Sequence, residues 1–233
     1  TRTYLVTLRD GAYPLAFTYN RGLEPSFLYR NALRGFAAQM TEAEAETLRS
    51  SPQVGRVERD GPVAIVAEPA ASWGLDRVDQ RDLPLDGQYT RELSGAGVTA
   101  YIIDTGIRFT HVEFGGRAFS GTDTVDPGTP ADDCHGHGTH VAGTVGGNTF
   151  GVANQVRMIG VRVLNCTGSG TWAGVIAGID WVSADHDPGE PAVANMSLGG
   201  AFNQTANDAV MASIADGVTY AVAAGNSNTD ACN

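Results

Sequence analysis

The sequence predicts an α/β protein organised on a doubly wound parallel sheet, with a small α+β unit in front of it. Three observations predict this. From about residue 98 onward, short β-branched apolar runs (98–103, 156–164, 192–200 and 218–224) alternate with helical patterns near 137–146, 171–184 and 207–215. Strands alternating with helices imply crossover units feeding a parallel sheet. Residues 1–67 instead read strand, helix, strand, helix, strand in quick succession, and a small-residue stretch with proline, 67–72, separates them from the rest. The chain of 233 residues is 42% hydrophobic, enough for one large domain or one medium domain plus a small one.

Taken in order, residues 3–8 are a strand candidate, and Glu24 with Pro25 opens a helix expected to reach about Ala32. Residues 34–40 form a second strand. Thr41 followed by Glu44 is a capping box for a helix through Leu48. Pro52 precedes a strand at 53–60, and 62–66 are extended. Read by itself, this unit is a ferredoxin-like module. The strand at 98–103 ends in Asp104-Thr105-Gly106, and in open parallel sheets catalytic groups gather at the carboxyl ends of strands. Residues 108–133, rich in Gly, Asp and Thr, read as a loop. In the helix after Gly170, Val175, Ile176, Ile179 and Val182 fall on one apolar face with Trp181 at its edge.

The chemistry concentrates in the stretch 133–144. His135, His137 and His140 lie within six residues among glycines. A histidine at a helix start, given room by glycine, presents an imidazole of ordinary pKa about 6.5 to a cleft. Spacing alone leaves open a zinc cluster, with Cys134 as a further ligand, or structural histidines. His140 reads as a buried structural partner and His111 as a solvated loop residue. Asp76, Asp79, Gln80, Asp86 and Gln88 gather oxygen ligands over one short loop. Hard cations such as calcium take six to eight oxygens from such loops; helix acids facing solvent are the alternative.

The net charge is −11, and it is uneven: residues 1–67 carry eight Arg and seven acids, the remainder seven Arg and nineteen acids. This excess of acids disfavours nucleic acid as a partner and suits bound cations. No apolar run approaches the ~20 residues needed to cross a bilayer, so no membrane role is expected. Three cysteines is an odd number. Cys134 and Cys166 are placed to meet at the cleft edge, which leaves Cys232 without a mate.

Ile102-Ile103-Asp104-Thr105-Gly106-Ile107, His137-Gly138-Thr139-His140-Val141-Ala142-Gly143-Thr144 and Ala223-Ala224-Gly225-Asn226 resemble, in this order, three motifs of the subtilases, most nearly the proteinase K and aqualysin branch. Gly35-Phe36-Ala37-Ala38 and Val57-Glu58-Arg59-Asp60 are similar to the family's inhibitor-type propeptide, and the segment from Trp73 resembles the start of a mature enzyme. The resemblance implies a propeptide at 1–67, processing near Ile65, Val66 or Ala67, and the first part of a three-layer peptidase domain at 68–233. It implies that Asp104 orients His137, that His137 acts as general base, and that the Asn226 amide stabilises an oxyanion. Ser197-Leu198-Gly199 would pair with an extended peptide. Structural calcium at 76–88, secretion, a monomeric state, protein or peptide substrates and the propeptide lying in the cleft also follow from it. The family's serine stands in a Gly-Thr-Ser-Met-Ala motif that this sequence lacks. The expectation is therefore a domain continuing past Asn233, with the 233-residue chain inactive by itself. A non-catalytic protease inhibitor or peptide-binding protein, working through residues 1–67, is the alternative.

Overall fold

The structure is a computed structural model that describes residues 1–65, 73–91 and 93–230. The expected linker at 67–72 and Cys232 lie outside the described residues. The amino-terminal unit comprises β1 (Arg2–Leu8), α1 (Pro14–Tyr19), β2 (Pro25–Tyr29), β3 (Gly35–Met40), α2 (Glu42–Arg49) and β4 (Val54–Arg59), with an antiparallel sheet in the order β2-β3-β1-β4. The capping box at α2 is present: Thr41 Oγ1 accepts from the Glu44 backbone, and the Glu44 carboxylate accepts from the Thr41 N–H. The helix expected from Glu24 to Ala32 is instead β2. Pro25 is followed by a Ser-Phe-Leu-Tyr run whose aromatic and apolar side chains suit a pleated surface, and it adds to the edge of β3. The helix of this region is α1, opened by Pro14 in its first turn.

Then follow β5 (Pro62–Ile65), α3 (Trp73–Val78), β6 (Thr99–Asp104), β7 (Ala118–Asp123), α4 (His137–Gly146), β8 (Arg157–Arg162), β9 (Ser169–Thr171), α5 (Trp172–Asp185), β10 (Ala192–Met196), β11 (Leu198–Gly200), α6 (Gln204–Asp216) and β12 (Val218–Val222). The main sheet is parallel throughout, in the order β12-β10-β6-β8-β7. Side chains alternate across β6, so Tyr101 and Ile103 join a core with α5 and α6, while Ala100 and Ile102 join one with Ala142 of α4. Helices on both faces make the three layers of a doubly wound fold. The stretch 108–133 is not all loop, because β7 lies inside it. Its Gly, Ser, Thr and Asp residues carry little strand signal, and pairing with β8 supplies the order.

The two units meet along α5 and α6. Tyr4, Val6 and Leu8 of β1 fill the small unit's own core, whereas Leu5, Tyr29 and Ala37 pack with the residues of α5. Asp180, buried on α5, accepts from the backbone N–H groups of Arg30, Asn31 and Ala32 at 3.1, 2.6 and 2.8 Å. Asp60 accepts from Ala173 N at 3.0 Å, at the start of α5; Glu58 accepts from Gln204 N and Thr205 N at 3.2 and 2.7 Å, at the start of α6. Asp60 and Glu58 thus each meet orphan donors at the positive end of a helix. Burial holds the Asp60 carboxyl above its usual range. Beyond this seam, β5 forms the middle strand of a three-stranded antiparallel sheet, between β9 and β11.

Candidate active site

β6 is buried for most of its length, and it delivers Asp104 to the carboxyl edge of the sheet with no solvent exposure. The chain then turns, and 33 residues later His137 opens α4. His137 Nδ1 lies 2.7 Å from Asp104 Oδ1, which also accepts from Thr105 N at 2.7 Å. Glycine makes the approach possible at two positions. Gly136 has φ 102°, a left-handed turn that a side chain resists, and a Cβ at Gly138 would stand 2.2 Å from the Gly106 carbonyl oxygen. The Asp104 hydrogen bond raises the His137 pKa above that of an ordinary imidazole, against the opposing effect of burial. With Nδ1–H donating to Asp104, Nε2 is the acceptor nitrogen, and it makes no hydrogen bond among the described residues. Asp104 Oδ2 is buried and has no partner among them.

The other expected residues fall in different places. Leu198 and Gly199 belong to β11 and pair with Ile65 and Ala64 of β5. Ser197 stands just before that strand, its hydroxyl accepting from Asn195 Nδ2 at 2.9 Å. Asn226 lies exposed in the turn after Gly225, and its side chain is not brought to Asp104 or His137 by any hydrogen bond among the described residues. No serine hydroxyl of the described residues bonds to His137 either.

Cys134 and Cys166 form a disulfide across 32 positions, tying the histidine turn to the segment that leads into β9. This removes Cys134 as a zinc ligand, and no group of three or more His, Cys, Asp or Glu side chains converges among the described residues. His140 is exposed, not a buried partner. His111 is half-buried, packs on Phe114 and caps a short turn through Nδ1. In the acidic loop, Asp76 accepts from Gly87 N at 2.9 Å, Asp79 from Thr90 N at 2.6 Å, Gln80 from Asp86 N at 3.2 Å and Asp86 from Gln88 N at 2.9 Å. The backbone is thus wrapped around its own acids. Asp76 Oδ1 is buried without a hydrogen-bond partner among the described residues, as a cation ligand would be.

Sequence reasoning passed over Asp133, Thr105 and Asp180. The signal at Asp133 was legible, an Asp three residues before Gly136 in a turn that opens a helix; Asp180 had none, since its partners lie about 150 positions away.

Comparisons with known proteins agree with this geometry. The subtilase family matches residues 95–232, and the peptidase inhibitor I9 family matches residues 15–65. An extracellular serine proteinase of Thermus sp. (strain Rt41A) is 53% identical over 206 residues, which cover 88% of this chain and 50% of that protein. Alkaline serine exoprotease A of Vibrio alginolyticus is 51% identical over 213 residues, covering 88% of this chain and 40% of its own. The chain therefore spans half or less of the length of these two relatives. Among solved structures, a cold-adapted subtilisin-like serine proteinase superposes with a TM-score of 0.67 at 57% identity, over 69% of this chain and 58% of that one. Fervidolysin from Fervidobacterium pennivorans, at 20% identity and a TM-score of 0.75 over 98% of this chain and 40% of its own, shares the fold. With more than half of its residues matched by one family, and with the sheet, the histidine helix and the inhibitor-type unit in place, the chain belongs to the subtilases.

Proposed function

We propose that the chain is part of a secreted serine endopeptidase precursor, with an inhibitor-type propeptide at 1–67 and peptidase sequence from 68 onward. The observation that carries this reading is the His137–Asp104 hydrogen bond of 2.7 Å at the carboxyl edge of a parallel sheet. Asp104 holds the imidazole in the tautomer that leaves Nε2 as base and stabilises the imidazolium once Nε2 has taken a proton. The proton would come from a serine supplied by sequence after residue 233. Asn226 would donate to the oxyanion, a contribution that in subtilisin is worth about 3–4 kcal/mol of barrier.

The substrate class follows from β5. An extended segment lying antiparallel between β9 and β11 is what a bound polypeptide would look like, with Leu198, Gly199 and Gly200 on one side and Ser169 and Gly170 on the other. Proteins or peptides are therefore the substrates we propose, and residues 1–67 the intramolecular occupant of the cleft. We also propose structural calcium at the loop holding Asp76, Asp79, Gln80, Asp86 and Gln88; its three acids do not converge on one point here, and the support is the orphaned Asp76 oxygen. The disulfide suits an extracellular enzyme, and a monomer is the state we propose for it.

The test is the full-length precursor assayed on a chromogenic peptide. Turnover should appear after processing at 65–67, and a chelator should lower the thermal midpoint. Asp180→Ala strips the acceptor from three backbone donors at the seam, so activity should appear sooner than in the parent. A precursor that never hydrolyses peptide, or equal activation with and without Asp180, would overturn the corresponding part.

A further inference from the structure

We propose that Asp133 is a positioning residue, which locks His137 onto Asp104 by clamping the end of β6 to the first turn of α4. The proposal rests on the catalytic reading of Asp104 and His137, and its test separates the two.

Asp133 is half-buried and its carboxylate takes five donors. Oδ1 accepts from Thr105 Oγ1 at 2.9 Å, His135 N at 2.9 Å and Gly136 N at 2.8 Å. Oδ2 accepts from Thr139 N at 2.9 Å and Thr139 Oγ1 at 2.5 Å. Residues 135, 136 and 139 bracket His137, and Thr105 follows Asp104, so one side chain grips the supports of both partners. The grip closes on itself, because Thr105 Oγ1 accepts from Gly138 N at 2.9 Å and Thr139 Oγ1 accepts from Arg108 N at 2.9 Å. Catalytic pairs depend on this kind of support, since a misplacement of about 1 Å can cost about a hundredfold in rate.

The chemistry requires a carboxylate. All five partners are donors, and an ionised carboxylate is acceptor-only. An asparagine of the same shape would aim its NH₂ either at Thr139 or at Thr105, His135 and Gly136, opposing donors in both orientations. Burial works against the charge of Asp133, but its donors, Gly136 and Thr139 foremost, outweigh burial and lower its pKa. The ionisable groups facing His137 are Asp104, Asp133 and the His135 ring, whose centroid lies 6.4 Å from the His137 ring.

The experiment is Asp133→Asn in the full-length precursor, read by NMR of ¹⁵N-labelled His137. The parent should show a downfield Nδ1 proton and a raised imidazole pKa. In the variant that proton should exchange about tenfold faster or more, and the pKa should fall, at a temperature where both proteins are folded. A loss of stability alone can speed the exchange through more frequent opening but would leave the folded-state imidazole pKa where it is, so the pKa decides. Thr139→Ser, which keeps the hydroxyl, should leave both as in the parent, and Thr139→Val should shift both part of the way. If Asp133→Asn does not fold, this second pair decides, and identical His137 signals in Ser and Val variants overturn the proposal. So does an unchanged His137 in folded Asp133→Asn. In the processed full-length enzyme, the same change should lower kcat about 10–100-fold with KM unchanged. Full turnover by a His137→Ala enzyme would sink the catalytic reading and leave the NMR result on Asp133 standing.

Discussion

His137 and His186 both place Nδ1 on an aspartate, at 2.7 Å from Asp104 and 3.0 Å from Asp216, and both have a raised pKa. They differ at the other ring nitrogen. His186 is buried, and its Nε2 lies 2.9 Å from the Glu190 carbonyl, so two acceptors face one ring. That arrangement favours the doubly protonated imidazolium and staples the end of α5 to the end of α6. His137 has one acceptor among the described residues, and its second nitrogen makes no hydrogen bond there. Glycine on both sides and a wholly buried aspartate mark the pair we propose for chemistry; a half-exposed aspartate and a saturated ring mark the other. A histidine–aspartate pair is thus a candidate for chemistry only if one nitrogen remains to be used.

The comparison breaks first on alanine scanning. His137→Ala in the processed full-length enzyme should lower kcat by about a millionfold, the loss measured for the corresponding knock-out in subtilisin. His186→Ala should leave kcat/KM within about threefold and cost about 2–3 kcal/mol of stability, as expected for a buried polar group whose partners are left unpaired. Equal losses of activity in the two variants would erase the distinction. The aspartates give the next largest contrast. Asp104→Asn should lower kcat about 10⁴-fold by allowing the wrong tautomer, whereas Asp216→Asn, at a side chain 38% exposed, should be kinetically silent.

A smaller effect concerns what surrounds the functional pair. Replacing Cys134 and Cys166 together by alanine opens a loop closed across 32 positions and should cost about 3–4 kcal/mol by chain entropy. Chemical denaturation would read it, and an unchanged midpoint would show that the bridge does not support the histidine turn. The smallest expected effect is in pH. A raised folded-state pKa means that the stabilisation from charged His186 is complete below the ordinary imidazole value of about 6.5 and fades as pH rises through the raised value. The stability difference between the parent and His186→Gln should therefore narrow on going alkaline. Over the same range activity should rise, because His137 must lose its proton to act as base. A kcat/KM that falls as pH climbs through the imidazole range would contradict the role given to Nε2.

Asp104 and His137 are legible in the amino-acid sequence because each signal is local: an apolar strand that stops at an acid, and a glycine-spaced histidine at the start of a small-residue helix. The capping box at Thr41 and Glu44 and the apolar face of α5 are local in the same way. Where the sequence misleads, the local signal is missing. A Ser-Phe-Leu-Tyr run after Pro25 serves a helix or a strand equally well until β3 offers an edge, and β7 is too polar to announce itself without β8 to pair with. His140 carries the same residue type as His137 and lies on the same helix, yet it is exposed and makes no bond to a carboxylate among the described residues.

By itself the sequence determined the α/β class, most of the order of strands and helices, the two-unit organisation and the residues that meet at the end of β6. Hydrophobic period, turn chemistry and capping act over a few residues and are written in the order of the chain. What only the tertiary structure decided was which donors the other carboxylates take up: Asp216 on His186, Asp133 around the histidine turn, and Asp180 across the seam to Asn31. Their partners lie from two to about 150 positions away, and a hydrogen bond reads distance in space, to which sequence separation is indifferent.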